Sequence, residues 1–314
     1  MALAQTEEIL RERPRKGRSR VVFSLDRLTP FLMIAPSVVL VAVFVYGFIG
    51  YSGFSSLTRW NSVVTDYTFV GLKQYRLLFQ DVRFQADVRN TVLFTISFLL
   101  LCVLLGFGAA LLVDQKLPGS RLFQNVYLFP LALSFVVTGV VWRWLWNPTF
   151  GIDALLRALH IDPARAGLGV ITDTRTALFA VVIAATWQMS GFCMAMFLAG
   201  LRGIPEELRE AARVDGAGAV QAFRYVILPQ LNPVVLAAII ILGHISLKIF
   251  DLVYVMTFGG PGHATDMPGL YMFIAIFQQN LYAYGAAIAT MLLLLVAVLV
   301  VPYLIWNLRE EAGR

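Results

Sequence analysis

Residues 203–233 read GIPEELREAARVDGAGAVQAFRYVILPQLNP, and they lie between two long apolar runs, 177–201 and 234–257. Pro205 suits the first turn of a helix, and Glu206, Glu207 and Glu210 follow where the positive end of the helix dipole favours acids. Leu208, Ala211, Ala212 and Asp215 recur at spacings of three and four, which gathers small and apolar groups on one face. Asp215–Gly216 ends that helix. A second amphipathic stretch carries Val220, Phe223 and Ile227, and Pro229 and Pro233 set the entry into the next apolar run. The pattern predicts a short helix, a turn and a second helix lying along a membrane surface. Its small residues permit close backbone approach by a partner.

Working outward, six runs are long and apolar enough to cross a bilayer, about 20 residues each: 30–51, 91–113, 123–146, 177–201, 234–257 and 284–306. The chain is 59% hydrophobic and only 14% charged, against roughly 25% charged in soluble domains. A single core cannot absorb that surplus, so the solvent is lipid. The expected fold is all-α: a bundle of six transmembrane helices over 29–308, with a cytoplasmic helical loop at 203–230 between the fourth and fifth. A basic tail at 1–28 and a short tail at 309–314 flank it. No soluble stretch is long enough for a separate catalytic domain. The first apolar run is too long for a cleavable signal core and should stay as an anchor.

Lys and Arg set the orientation. Six spans put both termini on one side, together with the loop at 203–233, and that side collects fifteen basic residues against eight on the other. Both termini are therefore expected in the cytoplasm, with 53–90, 147–176 and the turn 259–262 outside. The net charge of +6 belongs to these flanks, and nucleic acid is not an expected partner. Cys102 and Cys193 lie inside apolar runs and read as small buried hydrophobes. The three histidines, His160, His244 and His263, have no partner at metal-site spacing, so no metal is expected. None of the four lysines (Lys16, Lys73, Lys116, Lys248) follows a glycine, which rules out a GxxxxGK[ST] phosphate loop. No cofactor is therefore expected on this chain itself.

Polar groups at membrane depth cost about 2.5–3.5 kcal/mol each on insertion scales, so each invites a functional reading. The fifth run carries His244, Ser246, Lys248 and Asp251, of which His244, Lys248 and Asp251 fall on one face of a continuous helix. Two accounts stay open: a polar lining for a hydroxyl-bearing cargo, or a Lys248–Asp251 ion pair that pins helices. In the fourth run, Trp187, Gln188 and Phe192 offer aromatic faces beside an amide, suited to a ligand with apolar faces and a hydroxyl rim. Aromatic packing near the interface is the alternative. Trp142, Trp144 and Trp146 read as an interfacial belt. Gly259, Gly260 and Pro261 form a tight turn, for which contact with an outside protein is a secondary reading.

With these residues in view, the chain resembles the membrane subunits of binding-protein-dependent ATP-binding-cassette importers. The hallmark there is Glu-Ala-Ala, three residues, Gly, nine residues, Ile-x-Leu-Pro. Here it is Glu210-Ala211-Ala212, Gly216 and Val226-Ile227-Leu228-Pro229, with Val226 in place of the usual isoleucine. The turn Thr257–Pro261 looks like that of maltose-type carbohydrate permeases. Residues 128–148, 187–203 and 244–253 look most like glucose/mannose permeases. The resemblance implies that Glu210, Ala211, Ala212, Asp215, Gly216 and Pro229 form a coupling helix and its re-entry, docked into an ATPase subunit. It implies further a second related permease, two ATPase subunits, and an extracytoplasmic sugar-binding protein meeting Gly259–Pro261, all in the cytoplasmic membrane of a bacterium or archaeon. A secondary transporter using His244, Lys248 and Asp251 as an ion relay is the rival from another class. Within the importers, a disaccharide, an oligosaccharide or a polyol phosphate is the alternative cargo.

Overall fold

The computed structural model describes residues 25–115, 117–160 and 171–312. Residues 1–24 of the expected basic tail, the middle of the loop at 147–176 and the last two residues lie outside it. The chain divides into two compact units, 1–51 and 52–314. In the first, α1 (Leu25–Val41) runs into a π-helical turn (Ala42–Gly47). Phe31, Met33, Val39 and Phe44 are all exposed on it, as lipid-facing side chains are. The second unit begins inside α2 (Phe48–Ser56), after which α3 (Lys73–Gln80) lies in the first long connection.

The core of the second unit is the pair α4 (Val82–Asp114) and α8 (Ala177–Gly203). Phe94, Phe98, Cys102 and Ala110 of α4 meet Ala184, Cys193, Met194 and Phe197 of α8 in one buried cluster. Both cysteines are free and buried, as small hydrophobes. Lipid tails are as apolar as leucine, so helices in a bilayer associate by close packing, and small residues at the contact allow it. Gly106 does this here: a Cβ built on it would lie 2.4 Å from the Cys193 Cβ and 2.9 Å from the Ser190 carbonyl oxygen. Of the apolar window in α8, 72% is buried, against 33% in α4, so α8 is the central helix.

Two of the expected spans are not continuous. The run at 123–146 is split into α5 (Ser120–Leu128), a single 3₁₀ turn (Phe129–Ala132) and α6 (Phe135–Leu145). The two arms are bent by 103°. Pro130 occupies the turn, Leu133 is extended, and Ser134 restarts the helix by accepting from the Val137 N–H at 3.2 Å. The run at 234–257 also breaks. α9 (Glu206–Val214) is followed by a helical stretch made of α10 (Ala219–Ala222), a π turn (Phe223–Ile227) and α11 (Leu228–Gln230). That stretch meets α12 (Asn232–Leu247) at a 57° bend. α12 then stops at Lys248, and α13 (Asp251–Met256) starts afresh.

Beyond the outer turn, α14 (Pro268–Phe273) and a π turn (Ile274–Gln278) form a short apolar helix, with Leu270 and Ala275 buried. The six long apolar runs of the sequence do not include this segment. α15 (Tyr282–Ala312) closes the described chain. Among the described residues four helices are long and apolar enough to cross a membrane, or up to six if each bent pair is one span. A short α7 (Ile152–Ala158) lies between α6 and α8.

Gly106→Ala should lower the thermal stability of the detergent-solubilised chain by about 1–3 kcal/mol, the cost of overpacking a close helix contact. Gly108→Ala, where an added Cβ meets nothing within 4 Å, should leave it unchanged. Equal melting temperatures for the two variants would refute the close-contact account.

Candidate functional site

The break in the third run and the face of α8 enclose a cavity of about 510 Å³, and Tyr127, Pro130, Trp142, Thr186, Trp187 and Ser190 are among its walls. Trp142 and Trp187 meet edge to face with ring centroids 5.9 Å apart. The Trp142 indole N–H is buried with no hydrogen-bond partner among the described residues. A mostly apolar, aromatic cleft with a few hydroxyls and a free donor suits a ligand with apolar faces and a polar rim. Trp187 is one of the lining residues. Gln188 does not line the cleft: it is buried, and its Nε2 donates to the Leu133 carbonyl at 2.7 Å. Phe192 is half-buried against the core cluster and is also outside the lining.

The expected belt separates in the same region. Trp144 is exposed, Trp146 is buried, and Trp142 turns inward to the cleft. Sequence spacing could not distinguish these, because α6 begins only at Phe135 and its facing is set by the bend before it. Arg143 donates to the Val255 carbonyl at 3.3 Å, which ties α6 to α13.

The face proposed for the fifth run is not a single face. Lys248 is non-helical and caps α12, so Asp251 at the start of α13 is out of register with His244. No Lys248–Asp251 ion pair forms among the described residues, and both side chains are exposed. Ser246 is buried, bonded to the Gly243 carbonyl at 2.8 Å and to Thr95 Oγ1 at 3.0 Å, which fastens α12 to α4. The Gly269 position, at the start of α14, sits beside the Ile249 carbonyl, so the break is covered by protein. Interrupted helices with backbone ends facing a cavity are a recurrent form of membrane substrate site.

A polar cluster at one end of the bundle went unrecognised in the sequence. Arg83 is bound to Asp266 through Nη2 at 2.6 Å and Nε at 2.7 Å, and Asp266 is fully buried. The guanidinium also lies 4.3 Å over the Tyr271 ring. Asn90 donates to the carbonyls of His263 and Asp266 at 2.9 and 3.0 Å. Asp81 accepts from Tyr271 at 2.5 Å and from Tyr284 at 2.7 Å. Burial works to raise the Asp81 carboxyl, but those two hydroxyls and the backbone N–H groups of Arg83 and Phe84 outweigh it, holding it below its ordinary value. The glycine turn is wrapped around this cluster: Gly259, Gly260 and Gly262 all have positive φ, and a Cβ on Gly260 would meet Thr265 Oγ1 at 2.7 Å. Gly260 and Pro261 line a cavity of about 350 Å³ with Arg143 and Asn147. Partners up to 203 residues apart leave no periodic signal.

The loop read first from the sequence is a helix, a turn and a helix. Ala212 is the buried residue of α9, while Glu210, Ala211, Asp215 and Gly216 are exposed. The Ala217 N–H bonds to the Ala212 carbonyl at 2.9 Å and the Gly216 N–H to the Arg213 carbonyl at 3.1 Å, with Gly216 at φ +78°. This is a Schellman end, which needs a residue free to adopt left-handed φ. Leu208, Val214, Val220 and Tyr225 are exposed apolar residues on the same projection. Pro229 is exposed within α11. Arg209 reaches back, donating to the Leu201 carbonyl at 2.9 Å and pairing with Asp114 at 3.6 Å.

Residues 102–309 match the family described as binding-protein-dependent transport system inner membrane component. A probable ABC transporter permease protein of Pyrococcus horikoshii is 40% identical over 89% of this chain and 96% of its own. The xylose/arabinose import permease of Haloferax volcanii is 35% identical over 87% and 86%. The trehalose/maltose transport system permease of Thermococcus litoralis is 32% identical over 87% and 92%. The fold matches that in the crystal structure of a bacterial ABC transporter involved in alginate import, with TM-score 0.75 and 19% identity over 91% of this chain and 97% of that one.

The depressed Asp81 carboxyl makes a prediction with a definite sign. Its contribution to stability is complete above the unfolded value of 3.8 and is lost as pH falls through the lower folded value. The melting temperature of wild type should therefore exceed that of Asp81→Asn by a constant margin at neutral pH, and the margin should close below about pH 4. A margin that stayed constant down to pH 2 would contradict the assignment.

Proposed function

Because the chain belongs to the family of binding-protein-dependent transport system inner membrane components, we propose that it is the permease subunit of an ATP-driven sugar importer, crossing the membrane six times with both termini in the cytoplasm. The observation that carries the reading is the projection from α9 to α10. It is a helix ended by the Schellman turn at Gly216, and its exposed surface carries Leu208, Val214, Val220 and Tyr225 among charged neighbours. Apolar side chains exposed together in this way mark a protein-binding surface. The projection is the coupling helix, and its partner is an ATPase subunit, which holds the ATP and Mg²⁺. A second related permease and a second ATPase complete the assembly, and a binding protein delivers the sugar on the outer face near Gly259–Pro261.

Arg209 gives this chain a mechanical route. It joins α9 to Asp114 at the end of α4 and to the Leu201 carbonyl near the end of α8. Movement of α9 on an ATPase partner would pull the cytoplasmic ends of the two helices that wall the cleft. Closure of the ATPase pair on ATP turns the cleft outward, and hydrolysis returns it inward. In the cleft, Trp187 and Trp142 stack on the sugar ring, the Trp142 N–H and the hydroxyls of Thr186 and Ser190 meet its rim, and Lys248 with Asp251 line the path at the helix break. The cargo is a monosaccharide of the glucose/mannose type. Support for a sugar comes from the relatives named for xylose/arabinose and trehalose/maltose import and from the aromatic lining.

Wild type should co-purify an ATPase subunit from its native membrane, and Glu210→Lys or Gly216→Pro should each abolish that recovery while the chain remains membrane-inserted. Recovery of no ATPase with wild type, together with uptake that follows an ion gradient, would replace the importer with a secondary transporter. In proteoliposomes of the whole assembly, Trp187→Ala should cut labelled glucose or mannose uptake at least about tenfold, as loss of a stacking anchor worth some 1.4 kcal/mol or more does. Unchanged uptake in the variant would remove Trp187 from the sugar path, and competition by xylose or maltose alone would reassign the cargo.

A further inference from the structure

At the end of the bundle where α4 finishes, α5 begins and α8 finishes, a pocket of about 540 Å³ is lined by Val113, Leu117, Ser120, Arg121, Gln124 and Arg202. We propose that this pocket holds the phosphate headgroup of an anionic phospholipid, with an acyl chain lying in the adjoining groove. The proposal rests on the membrane-spanning reading above and not on the cargo. Neither Arg121 nor Arg202 has an ion-pair partner within 4 Å among the described residues. The nearest acids along the chain, Asp114 and Glu206, are both engaged with Arg209. Two guanidiniums, an amide and a hydroxyl around one cavity form a donor-rich site, and a phosphate diester supplies acceptors only. Without an anion the two arginines repel one another.

The position favours a lipid over a soluble anion. All three elements are membrane helices at their ends, so the pocket lies at headgroup depth. By the Lys and Arg distribution this is the cytoplasmic leaflet, where clustered basic residues between helices meet anionic lipid. A second cavity of about 250 Å³ shares Val113, Leu117 and Ser120 with the first and continues over Leu112, Pro118 and Phe123. Leu112 and Leu117 are half or more exposed there, and Phe123 is 43% exposed. A polar head site that opens into an apolar groove matches a molecule with a charged head and a hydrocarbon tail. A free phosphate has no use for the groove.

The test is native mass spectrometry of the full chain, delipidated in detergent and titrated with phosphatidylglycerol, with phosphatidylcholine of the same acyl chains, or with glycerol phosphate. Wild type should bind phosphatidylglycerol in preference to phosphatidylcholine. Arg121→Gln with Arg202→Gln should weaken that binding about 30-fold, from two basic contacts at about 1 kcal/mol each, and the paired lysine variant should retain most of it. Binding in the glutamine pair within twofold of wild type overturns the proposal. So does displacement by equimolar glycerol phosphate, which would make the occupant a soluble anion. Loss of ATPase co-purification with lipid binding intact also overturns it, and makes the pocket part of a protein interface. A photoactivatable phosphatidylglycerol on wild type needs no variant: adducts within 112–124 support the site, and adducts only elsewhere sink it. Since the lipid measurement uses no sugar, its failure leaves the importer reading standing, and failure of uptake leaves the lipid site standing.

Discussion

The hydrogen bond from Gln188 to the Leu133 carbonyl holds together the part of the molecule on which the cleft depends. In hydrocarbon, a backbone carbonyl outside a helix has no water to turn to, and an unsatisfied polar group costs several kcal/mol. The third run can bend by 103° because the central helix supplies a donor at the point where its ladder is interrupted. The bend carries α6 away from the line of α5 and leaves the space that becomes the cleft. Trp142, one turn from the end of α6, then faces Trp187 on α8.

The second break follows the same rule. α12 ends at Lys248, and the start of α14 lies beside the Ile249 carbonyl. α14 is in turn held by the cluster of Arg83, Asp266, Asp81, Tyr271 and Tyr284. A buried ion pair is weak evidence for stability, since desolvation offsets most of its attraction. What this one supplies is position: Arg83 at the head of α4 has one buried partner, and the glycine turn is shaped around that partner. The ends of α4 are thus fixed by charge at both extremities, by Asp266 at one and by the Arg209–Asp114 pair at the other.

The sequence by itself determined the solvent, the helical class and the loop at 203–233. Those are local or compositional quantities. Apolar surplus selects lipid, and lipid admits helices. The i, i+3, i+4 pattern, together with a glycine at the Schellman position, specifies a short helix and its end without reference to the rest of the chain. Gly216 at φ +78° stands where the motif wanted a glycine, and Trp187 stands in the cleft.

Only the tertiary structure decided where the spans break and which polar residues are spent on holding them. Gln188 and Ser246 look in the sequence like cleft residues, yet their bonds go to Leu133 and Thr95. His244, Lys248 and Asp251 share a face only if the helix is continuous, and it is not. Arg83 and Asp266 show no relation in the sequence. The reason is common to all of these: a helix interruption in lipid is permitted by a donor or a covering segment from elsewhere in the chain. Its location is therefore a property of long-range contacts and not of the residues at the break.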